Sequence, residues 1–83
     1  MIYTRYGQTV NIIADAGLVP LRSVMASVRL VQVQATDDPA WKRWRWAETL
    51  KSDEQNGIYP AADSAPKVTL TPAELKAAKR EAA

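Results

Sequence analysis

A run of β-branched residues decides how this chain folds: Ser27-Val28-Arg29-Leu30-Val31-Gln32-Val33-Gln34-Ala35. Valine is strongly enriched in strands, and Val31 and Val33 alternate with glutamines as they do in a strand with one buried face. Val28 and Leu30 lie on the opposite parity. The phase slip at Leu30 and Val31 predicts either a β-bulge or burial on both faces of the sheet at this point.

The segment after this strand decides whether the sheet continues. The sequence Thr-Asp-Asp-Pro-Ala indicates a turn at 36–40, and a Trp-rich segment follows at 41–49. As a helix, this segment would take its N-cap and first residue from the Asp-Pro pair of the turn. As a strand, it places Trp44 and Trp46 on one face and its two arginines on the other. We favour the strand, because it pairs with 27–35 as a β-hairpin and tryptophan is only a fair helix former.

The N-terminal region of the chain carries weaker signals. Imperfect alternation predicts a strand near residues 8–14, with residues 2–6 as a lead-in strand. The Asp-Ala-Gly sequence at 15–17 predicts a turn, because glycine adopts positive φ without steric cost. Residues 18–23 contain Pro20, so we expect a loop or an edge strand there.

The C-terminal helix has the clearest local signal in the chain. Thr71-Pro72-Ala73-Glu74 has the form of a capping box with proline at the first helical position. Strong helix formers follow, which predicts a helix over residues 72–82. A helix of this length is not stable alone, so it must dock on the rest of the domain. We expect it to dock through Leu75, Ala78 and Ala82.

These elements predict a single α+β domain over residues 1–83. A small twisted antiparallel sheet of three to five strands, curved towards a barrel, occupies the β-rich segment 2–50. Residues 51–66 form a polar loop with a short helical turn, 67–70 a short strand, and 72–82 the helix. At least three strands are needed because an isolated hairpin is not stable, and such a sheet has an edge that can pair with a partner.

The composition excludes several classes of function. The chain has no cysteine and no histidine, so it lacks thiol nucleophiles, Cys-zinc sites and the commonest general base. We therefore predict a protein that is not an enzyme and that has no cofactor or metal. The net charge of +2 is too small to steer nucleic acid, so any such role needs a local cluster.

The Trp-rich segment supplies the leading candidate site: Trp41, Lys42, Arg43 and Arg45. Tryptophan and arginine are enriched at protein-binding hot spots, and aromatic residues interleaved with cations also suit single-stranded nucleic acid. A structural explanation competes with both, in which Trp44 and Trp46 fill the core and the arginines form a solvated face. Of the three tryptophans, we expect Trp41 to be the most exposed.

Two other groups of charged residues have simpler explanations. Paired carboxylates can hold a cation or act in acid–base chemistry, but these four suit a turn and a solvated loop: Asp37, Asp38, Asp53 and Glu54. The cations of the helix, Lys76, Lys79 and Arg80, can make a weak anionic contact. More often such residues keep a helix soluble.

Three pieces of the chain together resemble small proteins encoded in prophages and other mobile elements of Gram-negative bacteria: Tyr3-Thr4-Arg5-Tyr6-Gly7-Gln8-Thr9-Val10, Trp44-Arg45-Trp46-Ala47-Glu48-Thr49-Leu50-Lys51-Ser52-Asp53 and Ala65-Pro66-Lys67-Val68-Thr69-Leu70. That group has a sheet, a glycine-rich turn and a short helical end. Here the turn lacks the double glycine. The resemblance implies a small accessory protein that binds a host or phage protein.

These observations lead to one expected function and two alternatives. We expect a non-enzymatic phage-type accessory protein that binds a host complex, such as a defence system, and inhibits or modulates it. The alternatives are a small nucleic-acid-binding module that uses the Trp-rich segment, and a virion structural or assembly component. The sequence shows no signal peptide and no membrane span, so we expect the host bacterial cytoplasm, with the virion as the other location.

Overall fold

In the computed structural model, which describes residues 2–52 and 65–83, a curled antiparallel sheet carries one C-terminal helix. The sheet has five strands in the order β4-β3-β2-β1-β5, and its two outermost strands on one side are only two residues long. This confirms the predicted α+β class. The elements are β1 (Ile2–Tyr3), β2 (Thr9–Leu21), β3 (Ala26–Ala35), β4 (Lys42–Trp46), β5 (Lys51–Ser52) and α1 (Pro72–Ala82).

Strand β2 is longer than the sequence predicts. The turn expected at 15–17 is wrong, because β2 continues through these residues and stays paired with β3. The pairing skips one residue after Ile12 and another after Asp15, so extra residues are absorbed as bulges. Gly17 has φ +81° and donates its amide to Asp15 Oδ1 at 2.8 Å. A glycine with positive φ that is bonded to a nearby aspartate occurs in bulges as well as in turns. The Asp-Ala-Gly sequence therefore predicted a turn where the structure has a bulge.

The predicted phase slip in β3 has its counterpart across the ladder. Val31 lies opposite Asp15 and Leu30 lies opposite Gly17, so the second bulge of β2 falls between them. Leu30 and Val31 are both fully buried, and each contacts a different core cluster. Burial on both faces is therefore confirmed, and the bulge belongs to β2.

Hydrophobic side chains cover both faces of the sheet. The first cluster lies on the face opposite the helix and consists of Val10, Val31, Val33, Ala47 and Leu50. The second cluster lies under α1 and consists of Val19, Val28, Leu30, Trp46, Ala78 and Ala82. The 3-10 turn Ala47–Thr49, which follows β4, carries the chain to the first cluster. A chain this short has little interior, so using both faces increases the apolar area that it buries.

The helix forms as the sequence predicts. The Glu74 amide donates to Thr71 Oγ1 at 3.2 Å and the Thr71 amide donates to Glu74 Oε1 at 3.1 Å, which completes the capping box. Two hydrogen bonds with Thr71 keep the pKa of Glu74 below its ordinary value. The bond from the Thr71 amide has the larger effect and the bond with the Thr71 hydroxyl the smaller. Ala78 and Ala82 are buried and Leu75 packs beside them, so the predicted docking face is confirmed.

Several boundaries differ from the prediction. Residues 18–21 belong to β2, which confirms the edge-strand alternative, and the chain then makes a 3-10 turn at Arg22–Val24. Lys51–Ser52 is a strand, and the predicted helical turn at 58–64 lies outside the described residues. The expected strand 67–70 is reduced to one parallel bridge between Lys67 and Asp15.

Candidate functional site

Strand β4 settles the structure of the Trp-rich segment. Residues 42–46 form a strand that pairs with β3, as favoured from the sequence, with Trp44 opposite Gln32 and Trp46 opposite Leu30. Trp46 is buried in the second cluster and Trp44 is half-buried against it. The predicted division of faces is correct, since Arg43 and Arg45 lie on the other face.

Trp41 is less exposed than the sequence predicts. Its side chain is half-buried and packs against the first cluster. The guanidinium carbons of Arg43 and Arg45 lie 4.9 and 5.8 Å from the centre of its ring, within cation–π range. The reason is geometric: Trp41 shares the face of Val31 and Val33, so the apolar cluster draws the ring inward and the arginines close over it.

The arginines of β4 are also bonded to the backbone at the strand's outer edge. Arg43 donates to the Lys42 carbonyl at 2.7 Å, and Arg45 donates to the Trp44 carbonyl at 2.9 Å and to the Glu81 carbonyl at 3.0 Å. The carboxylate of Glu81 accepts the Trp44 amide at 2.7 Å. Unpaired backbone groups at a sheet edge invite pairing with other chains. Here the backbone groups of Lys42 and Trp44 are hydrogen-bonded to side chains. Of the four predicted binding residues, only Lys42 is exposed.

The other charged candidates have structural partners or remain at the surface. Asp38 accepts the Ala40 amide at 3.1 Å and so shapes the turn before β4. Asp37, Lys76 and Arg80 are exposed, and Lys79 is half-buried on the helix. Asp53 and Glu54 lie outside the described residues. Within residues 2–52 and 65–83, no three acidic side chains come together as a metal site would require.

One buried charge organises the centre of β2. The Asp15 side chain is 1% exposed and accepts a hydrogen bond from Lys67 Nζ at 2.7 Å, and Arg29 lies 3.5 Å away. Burial raises the pKa of Asp15, but the hydrogen bonds from Lys67 and the Gly17 amide, together with the charges of Arg29 and Lys67, outweigh it. The pKa therefore lies below its ordinary value, and the residue stays ionised.

The sequence interpretation missed a second surface at the far end of the β2–β3 hairpin. We define the hairpin end as residues 18–27. It exposes Leu18 (67%), Val24 (51%) and Met25 (90%), and a shallow depression of about 320 Å³ lies beside Met25. The signal was present in the sequence: Val24 and Met25 are adjacent apolar residues at the point where two strands meet, where polar turn residues are usual.

Met25 adopts an unusual backbone conformation. Its φ is +53°, the only positive value at a non-glycine residue in the described region of the chain. Glycine or asparagine fits this left-handed region at lower cost, and a residue such as methionine loses roughly 1 kcal/mol there. The turn therefore holds a large apolar side chain in water at a position where a small residue would be more stable.

Comparison with known proteins adds no relative. The chain matches no family model, no curated protein and no solved structure. No helix within residues 2–52 and 65–83 combines the length and apolar character needed to cross a membrane.

Proposed function

We propose that this chain is a non-enzymatic accessory protein that acts by binding another protein through its hairpin end. The proposal rests on the exposure of Val24 and Met25. Their side chains are 51% and 90% exposed, and Met25 has a strained, left-handed backbone. Strain and exposed apolar area both lower stability, and both are typical of binding sites. The partner is a host or phage protein whose activity is modulated by the contact, as the resemblance to prophage-encoded proteins implies.

Trp41, Arg43 and Arg45, which we call the Trp41 group, have a different role in this proposal. Arg43 and Arg45 are bonded to backbone carbonyls and lie over the Trp41 ring, so the group mainly closes the first cluster and the edge of β4. A nucleic-acid base could stack on that ring only after the arginines moved away. The hairpin end needs no rearrangement to make contact, which favours protein binding over the nucleic-acid alternative.

The test uses a charge-bearing variant of the hairpin end and a matched control. The double variant Val24→Asp/Met25→Asp places two carboxylates at the hairpin end. The control Ala73→Asp/Ala77→Asp adds the same charge at two exposed positions of α1. Each immobilised protein is used to capture proteins from bacterial lysate, which are identified by mass spectrometry. Circular dichroism confirms that all three proteins are folded.

We expect the wild-type protein and the control to capture the same protein, and the hairpin variant to lose it. Each apolar anchor in the centre of an interface typically contributes a large share of the binding energy, so the loss should be nearly complete. Capture by the hairpin variant at the wild-type level would contradict the proposal. If such a complex were lost on Arg43→Ala, the binding surface would be the Trp41 group.

A further inference from the structure

We infer that the open edge of β2, from Leu18 to Leu21, binds an extended segment of the partner as an added β-strand, and that this segment combines apolar residues with acidic ones. The inference rests on the proposed function and specifies how the partner is held. It assigns a role to the backbone edge within the hairpin end, whereas the proposed function uses only the side chains of Val24 and Met25.

The edge is open in the described region of the chain. Residues 18–21 pair with β3 on one side, and on the other side no strand among residues 2–52 and 65–83 pairs with them. Just before this edge, residues 66–68 of the same chain already pair with β2. The Asp15 amide donates to the Pro66 carbonyl and the Val68 amide donates to the Asp15 carbonyl, both at 2.9 Å. The chain then leaves for α1.

Proline defines which backbone groups face outward. Pro20 has no amide hydrogen, so in a strand it belongs where its nitrogen faces away from the neighbouring strand. Backbone groups of alternate residues point to alternate sides of an antiparallel strand, so the amide and carbonyl of Leu18 face the same way as Pro20. These groups form a short ladder for an added strand, as in peptide recognition by β-augmentation.

An apolar cavity lies beside this edge on the helix side of the sheet. Its volume is about 180 Å³, and Ala16, Val19, Leu70 and Leu75 contribute to its lining. For comparison, an engineered apolar cavity of about 150 Å³ accepts a benzene molecule. An aliphatic side chain of the added strand that points to this face has room to enter, and its neighbours point to the other face.

Charge selects an acidic segment. Arg22 is exposed at one end of the edge and Lys67 at the other, and Arg29 lies opposite Leu18. Lys67 and Arg29 share the buried carboxylate of Asp15, whereas Arg22 lies exposed at the hairpin end of the edge. A second copy of this chain would bring like charges together. A partner segment with a carboxylate at the end that lies beside Arg22 complements this charge.

The direct test is an NMR titration of the isotope-labelled protein with synthetic peptides. The probe alternates valine and threonine and has glutamate at both ends, and the matched control has lysine at both ends. We expect shifts confined to residues 18–21, 68–70 and Leu75, with slower hydrogen exchange of the Leu18 amide. Binding should weaken as salt rises, and the lysine peptide should bind several-fold less tightly.

Two variants of Leu18 test separately whether peptide binding needs the backbone amide or the side chain. Leu18→Pro removes the outward amide, and Leu18→Ala keeps it, so only the first should abolish binding. Because Gly17 precedes this position and the proline variant can fail to fold, Arg22→Glu supplies an independent test. It should weaken binding of the glutamate peptide by roughly two- to fivefold and improve binding of the lysine peptide.

Several results would overturn strand addition. These are no shifts at 18–21 with millimolar glutamate peptide, equal binding by Leu18→Pro and Leu18→Ala, or protection of the Leu18 amide that rises with protein concentration and so assigns the edge to a second copy. Shifts at Val24 and Met25 alone with anionic vesicles would assign a lipid surface. If folded Leu18→Pro still captures the partner that Val24→Asp/Met25→Asp loses, the proposed function stands and strand addition does not.

Discussion

The carboxylate of Glu81 accepts the backbone amide of Trp44 at 2.7 Å, which ties the last turn of α1 to the outer edge of β4. The same strand edge is covered by Arg45, which also bonds to the Glu81 carbonyl. One helix terminus therefore both docks the helix and blocks a sheet edge. This arrangement closes the outer edge of β4, whereas residues 18–21 of β2 keep a side that no strand among residues 2–52 and 65–83 pairs with.

Replacing Glu81 tests this link. Glu81→Ala leaves the Trp44 amide without its acceptor, and we expect a loss of about 0.5–1.5 kcal/mol in unfolding free energy, because the site is accessible to water. Glu81→Gln keeps an oxygen acceptor and should lose less. Urea denaturation measures both, and amide exchange at Trp44 should accelerate in the alanine variant. Identical urea midpoints for wild type and Glu81→Ala would show that the bond is unimportant.

Acid should weaken the domain through Asp15. Its folded pKa lies below the ordinary value of 3.8, so the folded state binds a proton less readily than the unfolded chain. The stabilisation by this group is complete at pH values above about 4–5 and is lost as pH falls through the folded pKa. Asp15→Asn should lower stability at neutral pH by about 1–3 kcal/mol, because the ion pair and its hydrogen bonds weaken.

The comparison of wild type with Asp15→Asn isolates this effect from other carboxylates, including Glu74. The stability difference between the two proteins, measured by urea denaturation at several pH values, should shrink below pH 3.8. Asp37→Asn, at an exposed position, serves as the control and should behave as wild type. A difference that stays constant on acidification would contradict the assigned ion pair.

The two tryptophans of β4 should differ in their effect on stability. Trp46 is 6% exposed in the second cluster, so Trp46→Ala should cost about 3–5 kcal/mol. Trp44 is only half-buried, so Trp44→Ala should cost less. Thermal unfolding followed by circular dichroism ranks the variants. A larger loss for Trp44→Ala would mean that the helix packs on β4 differently.

Trp41→Ala should leave a folded but weakened domain. The substitution removes packing on the first cluster and the cation–π contacts with Arg43 and Arg45, the latter worth about 0.5–1 kcal/mol at an accessible site. We expect the proposed partner still to bind, since Trp41 lies beside Ala35 at the end of β3, whereas the hairpin end pairs at the start of β3. Loss of binding with unchanged melting would instead support the sequence-based prediction of Trp41 as an anchor.

Met25→Gly should separate stability from binding. Glycine relieves the left-handed strain, and some of this gain is lost because glycine makes the unfolded chain more flexible. The expected net effect on unfolding free energy is a gain of up to about 1 kcal/mol. The same variant should bind the partner less tightly, because the exposed side chain is gone. Strong destabilisation by glycine would show that Met25 supports the turn in another way.

Some of the candidate site could be predicted because its pattern is local. The strand 42–46 and its division into a tryptophan face and an arginine face follow from period-2 alternation. The burial of Trp41 could not be predicted, because it depends on Val31 and Val33 from the neighbouring strand. The hairpin end was missed for a similar reason: Pro20 indicated an edge or a loop, and only pairing with β3 shows where that edge ends.

The sequence by itself determined the elements whose signals lie within a few residues of one another. The capping box of Thr71 and Glu74 specifies the start of α1, and the valine alternation specifies β3. Tertiary structure decided the length of β2, because a bulge replaces a turn only when Val31 and Leu30 are available as pairing partners and Lys67 can reach the buried Asp15. Those contacts join residues far apart in the chain, so local propensity carries no information about them.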